Sequence, residues 1–141
     1  VYADTSFLVS LYVLDRNSAR ANARLRETSL PICLTPLVET EISNAFYLRI
    51  FRKEARQEQI RNSLELFRKD VHDGIFESRT LSDEIFQQAR QIAARSTPSL
   101  GTRTLDLLHV ASAIVFRSEG FLTFDKRQAR LAKSEGLVVR E

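Results

Sequence analysis

Short apolar runs alternate along this chain with longer stretches in which apolar residues recur at helical spacing. Val1-Tyr2-Ala3 predicts a first strand, and Asp4-Thr5-Ser6 supplies helix-start residues ahead of Phe7-Leu8-Val9 and Leu11-Tyr12. Asp15 to Glu27 predicts a further helix. Pro31-Ile32-Cys33-Leu34 predicts a second strand, after which Thr35-Pro36 opens a helix to about Phe51 with Pro at its first position. A charged helix is expected from Glu54 to about Asp70, with His72-Asp73-Gly74 as the turn behind it. Ile75-Phe76-Glu77 predicts a third strand, and Leu81-Ser82-Asp83 starts a helix to about Arg95. Thr97-Pro98-Ser99-Leu100-Gly101 reads as a loop by composition. Thr104 to Phe116 predicts a strongly apolar helix, Phe121-Leu122-Thr123-Phe124 a fourth strand, and Asp125 to Ser134 a last helix stopped at Gly136. Leu137-Val138-Val139 closes the set. No repeat or long linker interrupts the pattern. Such short strands separated by helices predict a mostly parallel sheet covered by helices on both faces. Right-handed crossovers then bring the carboxyl ends of the strands to one edge, where open α/β sheets bind ligands.

Composition narrows the picture. At 141 residues, 43% of them apolar, the chain suffices for one domain with a real core, and 28% charged residues set it apart from disordered tails. One Cys excludes an internal disulfide framework, and with two His a structural zinc finger is excluded too. Cys33, between Ile32 and Leu34, reads as a small buried residue in a reducing compartment. The amino terminus carries no basic stretch leading into a long apolar run. The richest apolar stretch, Leu107 to Phe116, falls short of the ~18 residues a membrane span needs. The expected location is the cytoplasm. The 21 basic and 18 acidic residues leave a net charge of +3, compatible with an anionic partner without demonstrating one. The positions of the carboxylates say more than their number.

Asp106 falls in the first turn of the apolar helix, with Thr104 as its expected cap and His109 one turn on along the same face. Glu41 projects into the apolar arc formed by Leu37, Val38, Ile42, Ala45, Phe46 and Leu48, with Asn44 bordering that face. A carboxylate there needs a partner. Either it serves a site or it forms a buried ion pair, for which Arg49 competes. Asp4 and Asp125 each stand where an apolar strand meets a helix, a position in which Asp is also a favoured N-cap, and Gln128 could close a capping box with Asp125. Taken jointly, the four acids gather around one edge of the predicted sheet. Two carboxylates ~4 Å apart repel by about 4 kcal/mol at an effective dielectric of about 20, so such a cluster takes up protons or recruits a cation. Oxygen donors alone favour Mg²⁺ or Mn²⁺, ions that activate water and neutralise charge on a phosphodiester.

With these residues the chain resembles the PIN-domain ribonucleases, and among them the VapC toxins of prokaryotic toxin–antitoxin pairs. Tyr2-Ala3-Asp4-Thr5-Ser6-Phe7-Leu8 looks like the family's opening strand and first acid, and Glu41-Ile42-Ser43-Asn44-Ala45 like its helix-borne Glu. Arg103-Thr104-Leu105-Asp106-Leu107-Leu108-His109-Val110-Ala111-Ser112-Ala113 resembles the helix of the third acid. Thr123-Phe124-Asp125-Lys126-Arg127 looks like the last motif. The resemblance covers nearly the whole chain and implies a single PIN domain over residues 1–141 with a Rossmann-like, mostly parallel sheet. It implies a Mg²⁺ or Mn²⁺ site at Asp4, Glu41, Asp106 and Asp125, supported by Thr5, Thr123 and Asn44. It also implies an endoribonuclease acting on tRNA, rRNA or mRNA, a homodimer, and a small antitoxin as partner. Leu105 stands where some relatives carry an extra acid, which leaves the number of metal ions open. Arg103, Lys126, Arg127 and Arg130 are candidates for holding RNA phosphates. Two rivals share parts of the pattern. A PIN scaffold without catalysis, or one serving RNA processing, would keep the fold. A receiver-like signalling domain would need a phospho-acceptor Asp closing the third strand, where this chain has Glu77-Ser78.

Overall fold

Strands of two or three residues hold a sheet together only when both faces are covered, and that is how this chain is built. The computed structural model describes residues 1–141. In chain order the elements are β1 (Tyr2–Ala3), α1 (Thr5–Tyr12), α2 (Ser18–Arg26), β2 (Ile32–Leu34), α3 (Pro36–Phe51), α4 (Gln57–His72), β3 (Phe76–Ser78), α5 (Asp83–Leu100), α6 (Thr104–Val115), β4 (Phe121–Leu122), α7 (Lys126–Ser134) and β5 (Val139–Arg140). The five strands form one all-parallel sheet in the order β3-β2-β1-β4-β5. β1 pairs with β4 in the register Tyr2 to Phe121 and Ala3 to Leu122, and every residue of β1, β2 and β4 is buried. The Tyr2 ring stacks on Phe121 at a centroid distance of 5.6 Å inside a continuous apolar core.

The strand order sets the position of the site. From β1 the chain builds outward through β2 and β3, then returns across the sheet to place β4 on the other side of β1. The sheet therefore changes winding direction between β1 and β4, and their carboxyl ends flank a crevice. Asp4 follows β1, and Asp125 lies just past β4. β3 is an edge strand whose Glu77 and Ser78 are exposed, and no phosphate-accepting Asp ends it.

Several boundaries differ from the sequence expectation. The expected loop at Thr97–Gly101 is helical to Leu100, with Pro98 inside the helix and Gly101 ending it at φ 61°. Packing overrides local propensity here. α5 lies along α6, Arg95 and Ser96 both bond Glu135 beyond the end of α7, and the Gly101 N–H closes the last turn on the Thr97 carbonyl. α2 begins at Ser18 rather than Asp15. The Asp15 carboxylate accepts from the Asn17 N–H at 2.8 Å and from Ser10 at 2.9 Å, which holds residues 15–17 in a turn. Arg103, not Thr104, occupies the cap position of α6. β4 ends at Leu122: the Thr123 N–H still reaches the Arg140 carbonyl at 3.3 Å, but the Thr123 hydroxyl turns to Asp4 and the Phe124 N–H leaves the ladder for Ser6 Oγ in α1.

Candidate active site

At the crevice between β1 and β4 a pocket of about 300 Å³ is lined by Asp4, Thr5, Ser6, Glu41, Arg103, Thr104, Leu105, Asp106, Asp125 and Gln128. The four acids singled out from the sequence thus line one cavity, each from a different part of the chain. Asp4 is fully buried and Asp106 is 3% exposed. The side chains of Glu41 and Asp125 retain 22% and 31% of their exposure. Asp4 and Asp125 serve as caps as well as pocket walls. Asp4 Oδ1 accepts from the Phe7 N–H at 3.0 Å, and Asp125 Oδ1 accepts from the Arg127 N–H at 2.7 Å. α1, α6 and α7 all begin at this wall, so their positive ends partly offset the gathered carboxylates.

Hydroxyls and one imidazole hold the acids in place. Asp4 Oδ1 accepts from Ser6 Oγ at 2.7 Å and Oδ2 from Thr123 Oγ1 at 2.5 Å. Ser6 Oγ in turn accepts the N–H groups of Phe124 and Asp125 at 2.9 and 3.1 Å, which stitches the end of β4 to the start of α1. Glu41 Oε2 accepts from Thr5 Oγ1 at 2.6 Å and from His109 Nε2 at 2.6 Å. The other ring nitrogen of His109 is hydrogen-bonded to the Tyr2 hydroxyl at 2.9 Å. Arg49 takes no part. It pairs with Asp15 at 3.2 Å and Glu54 at 3.6 Å, so the partner of Glu41 is the Thr5–His109 pair rather than the arginine. Arg103 forks onto Asp106, Nε to Oδ2 at 3.1 Å and Nη2 to Oδ1 at 3.3 Å, and Nη2 also reaches Asp125 Oδ2 at 3.2 Å.

These surroundings push two of the acids apart. Burial raises the Asp4 carboxyl above its ordinary range, and the Thr123 and Ser6 hydroxyls pull it back only in part. Burial also acts to raise Glu41. There the hydrogen bond and field of His109, the Thr5 hydroxyl and the charge of Arg103 outweigh it and hold the carboxyl below its usual range. The donor set suits a hard divalent ion: four carboxylates in one pocket, with no thiolate and one partnered imidazole. Gln128 also lines the pocket, and its buried Oε1 is left without a hydrogen-bond donor. No three Asp, Glu, His or Cys side chains stand close enough to close round an ion in this arrangement, and Arg103 occupies the oxygens of Asp106.

Of the supporting residues expected from the sequence, Thr5 and Thr123 touch Glu41 and Asp4, and Arg103 touches Asp106 and Asp125. Asn44 is exposed and lies away from the pocket wall. Lys126, Arg127 and Arg130 lie outside it as well. Ser6 and Gln128 were legible only as a helix-start residue and a capping partner. Gln128 makes no side-chain return to the cap, and Ser6 joins two ends of the chain that no local spacing relates.

The profile of the PIN domain family matches residues 1–134. The chain belongs to this family. Among curated proteins no sequence match is found. The PIN domain is similar in fold to VapC20 of Mycobacterium tuberculosis, a sarcin-ricin loop cleaving toxin. That likeness has a TM-score of 0.69 at 13% identity, covering 97% of this chain and 95% of that one. It is similar to VapBC2 of Rickettsia felis bound to a DNA fragment from their promoter, with a TM-score of 0.67 at 17% identity over 99% and 96% of the two chains. A toxin-antitoxin complex from Klebsiella pneumoniae gives 0.62 at 14% identity over 91% and 88%. At these identities the likeness is one of fold. Membership of the PIN family removes the receiver-like reading. No helix is long and apolar enough to cross a membrane.

Proposed function

We propose that this PIN domain, occupying residues 1–141, is a Mg²⁺- or Mn²⁺-dependent endoribonuclease and the toxin of a toxin–antitoxin pair, acting in the cytoplasm. One observation carries the reading: four carboxylates from separate elements line a single pocket at the point where the parallel sheet changes direction. Asp4, Glu41, Asp106 and Asp125 would hold the ion, directly or through water. Such an ion supplies an activated water and neutralises the charge that builds on a phosphodiester. The chain's own groups prepare this. Thr123 and Ser6 orient Asp4, Thr5 and His109 fix Glu41, and Arg103 spans Asp106 and Asp125.

The toxin and its antitoxin partner enter the reading through the fold likeness to the toxin and toxin–antitoxin complexes named above. Two apolar hollows offer contact surfaces for a partner or a second copy. One lies between α3 and α4 at Tyr47, Ile50, Ile60 and Leu64, the other between α5 and α6 at Phe86, Ala89, Ala93, Leu107 and Leu108. The substrate class is RNA, whether tRNA, rRNA or mRNA.

Cleavage of RNA with Mn²⁺ or Mg²⁺, compared with EDTA and with Asp106→Asn, tests the reading. Both controls are expected to lose at least about 10²-fold in rate, with the fold intact by circular dichroism. Cleavage that persists in both overturns the metal–acid mechanism. The contact of Arg103 with two of the acids favours one second reading, a PIN scaffold that binds without cutting. The same assay identifies it by the absence of cleavage in the wild type.

A further inference from the structure

Arg103 stands between two cavities. It is the only cationic side chain on the wall of the acid pocket. It also lines an adjoining polar trench of about 880 Å³ that runs along α1 and the end of α3, where Arg16, Arg49 and Arg52 lie. Within the trench Arg49 is held by Asp15 and Glu54, whereas Arg16 and Arg52 meet no carboxylate within 4.0 Å. The trench and the pocket share Thr5, Ser6, Arg103 and Asp125, so they form one continuous depression.

On the pocket side the Arg103 guanidinium satisfies both oxygens of Asp106 and one of Asp125. These are oxygens that a divalent ion in the same pocket would need. Asp106, being almost fully buried, cannot be left without a counter-charge. A guanidinium and a divalent ion repel one another and compete for the same lone pairs, so the two do not share these carboxylates at full strength. The exchange has somewhere to go. The Arg103 side chain is 55% exposed, precedes α6 and already reaches the trench. A planar cation with paired N–H groups is also well matched to a phosphate.

We propose that Arg103 is a counter-ion that changes partner. It neutralises Asp106 and Asp125 in the metal-free protein, yields them to the divalent ion, and then turns into the trench to hold a phosphate of the RNA strand. Arg103 is thus a positioning residue for substrate and a competitor of the metal. The inference rests on the metal-dependent reading given above.

The test has two readouts. Mn²⁺ binding to metal-free protein, read from the electron paramagnetic resonance of the free ion, is compared for wild type, Arg103→Gln and Arg103→Lys. The KM for a single-stranded RNA is then measured at saturating Mn²⁺. Arg103→Gln is expected to bind Mn²⁺ about tenfold more tightly, the order set by one charge-assisted hydrogen bond, while its KM rises by about the same factor. Arg103→Lys, which keeps the charge but not the fork, falls between the two on both measures. A residue that only braced Asp106 would instead give weaker Mn²⁺ binding in both variants, and that result overturns the proposal. Tighter Mn²⁺ binding with an unchanged KM overturns it too, since the guanidinium then never reaches the phosphate. Absence of Mn²⁺ binding in all three proteins is a different failure and overturns the metal-dependent reading itself. Thermal melts of each metal-free protein confirm that the variants are folded before the comparison is made.

Discussion

Asp4 and Glu41 face one pocket, yet their surroundings drive them in opposite directions, and the difference is measurable. Burial lifts the folded-state pKa of Asp4 above its ordinary 3.8. The folded protein then holds that proton more firmly than the unfolded chain does. The stability this contributes is fully present below the ordinary value and is lost as pH rises through the raised one. Asp4→Asn removes the dependence. In metal-free protein the stability difference between variant and wild type is therefore expected to shift toward the variant as pH rises from about 4, by at most about 1.4 kcal/mol per pH unit. Urea denaturation over that range reads the slope, and a flat difference counts against a raised Asp4. The four acids were legible in the sequence only jointly: Asp4, Asp106 and Asp125 each suit a helix start taken singly, Glu41 alone projects into an apolar arc, and it is their convergence on one predicted sheet edge that singles them out. Ser6 and Gln128 were not legible. A hydroxyl that bridges residues 119 positions apart, and an amide oxygen left without a donor, exist only once the chain has folded.

At the scale of elements, the strands and most helices follow from hydrophobic spacing, because burial on both faces of a short parallel strand leaves a plain apolar run. The run Thr97–Gly101 misleads since Pro, Ser and Gly argue for a loop, while the Glu135 contacts of Arg95 and Ser96 and the packing of α5 on α6 argue for a helix. Gly101 shows where local chemistry still decides. It ends α5 at φ 61°, and a Cβ added there would meet nothing within 4 Å. Gly101→Ala is thus expected to cost about 1 kcal/mol through the backbone alone, measured by urea denaturation. Gly101 lines neither the acid pocket nor the trench. Mn²⁺ affinity should stay within about twofold of wild type, a difference of roughly 0.4 kcal/mol.

For the whole molecule, the pocket belongs to the native state and to no fragment of it, which links metal binding to folding. An ion bound only by the folded protein stabilises it by about 2.7 kcal/mol at one hundred times its dissociation constant. The melting temperature should climb with Mn²⁺ concentration and fall back on addition of EDTA, and Asp106→Asn should blunt the climb. A melting temperature indifferent to Mn²⁺ would mean that no ion binds. The fold class was readable because parallel topology follows from alternating strands and helices. The strand order and the resulting crevice were not readable, because β1 pairs with a strand more than a hundred residues away. That long-range pairing bears on the order of synthesis. The chain emerges from the ribosome amino end first, so Asp4 and its strand are made early and wait beside an empty edge. Until Leu122 and Thr123 have been released, Asp4 lacks the hydroxyl at its Oδ2 and the crevice has only one wall. A nascent chain therefore carries Asp4 and Glu41 for most of its synthesis without Asp106 and Asp125 to face them, and the pocket comes into being only as translation of the domain nears its end.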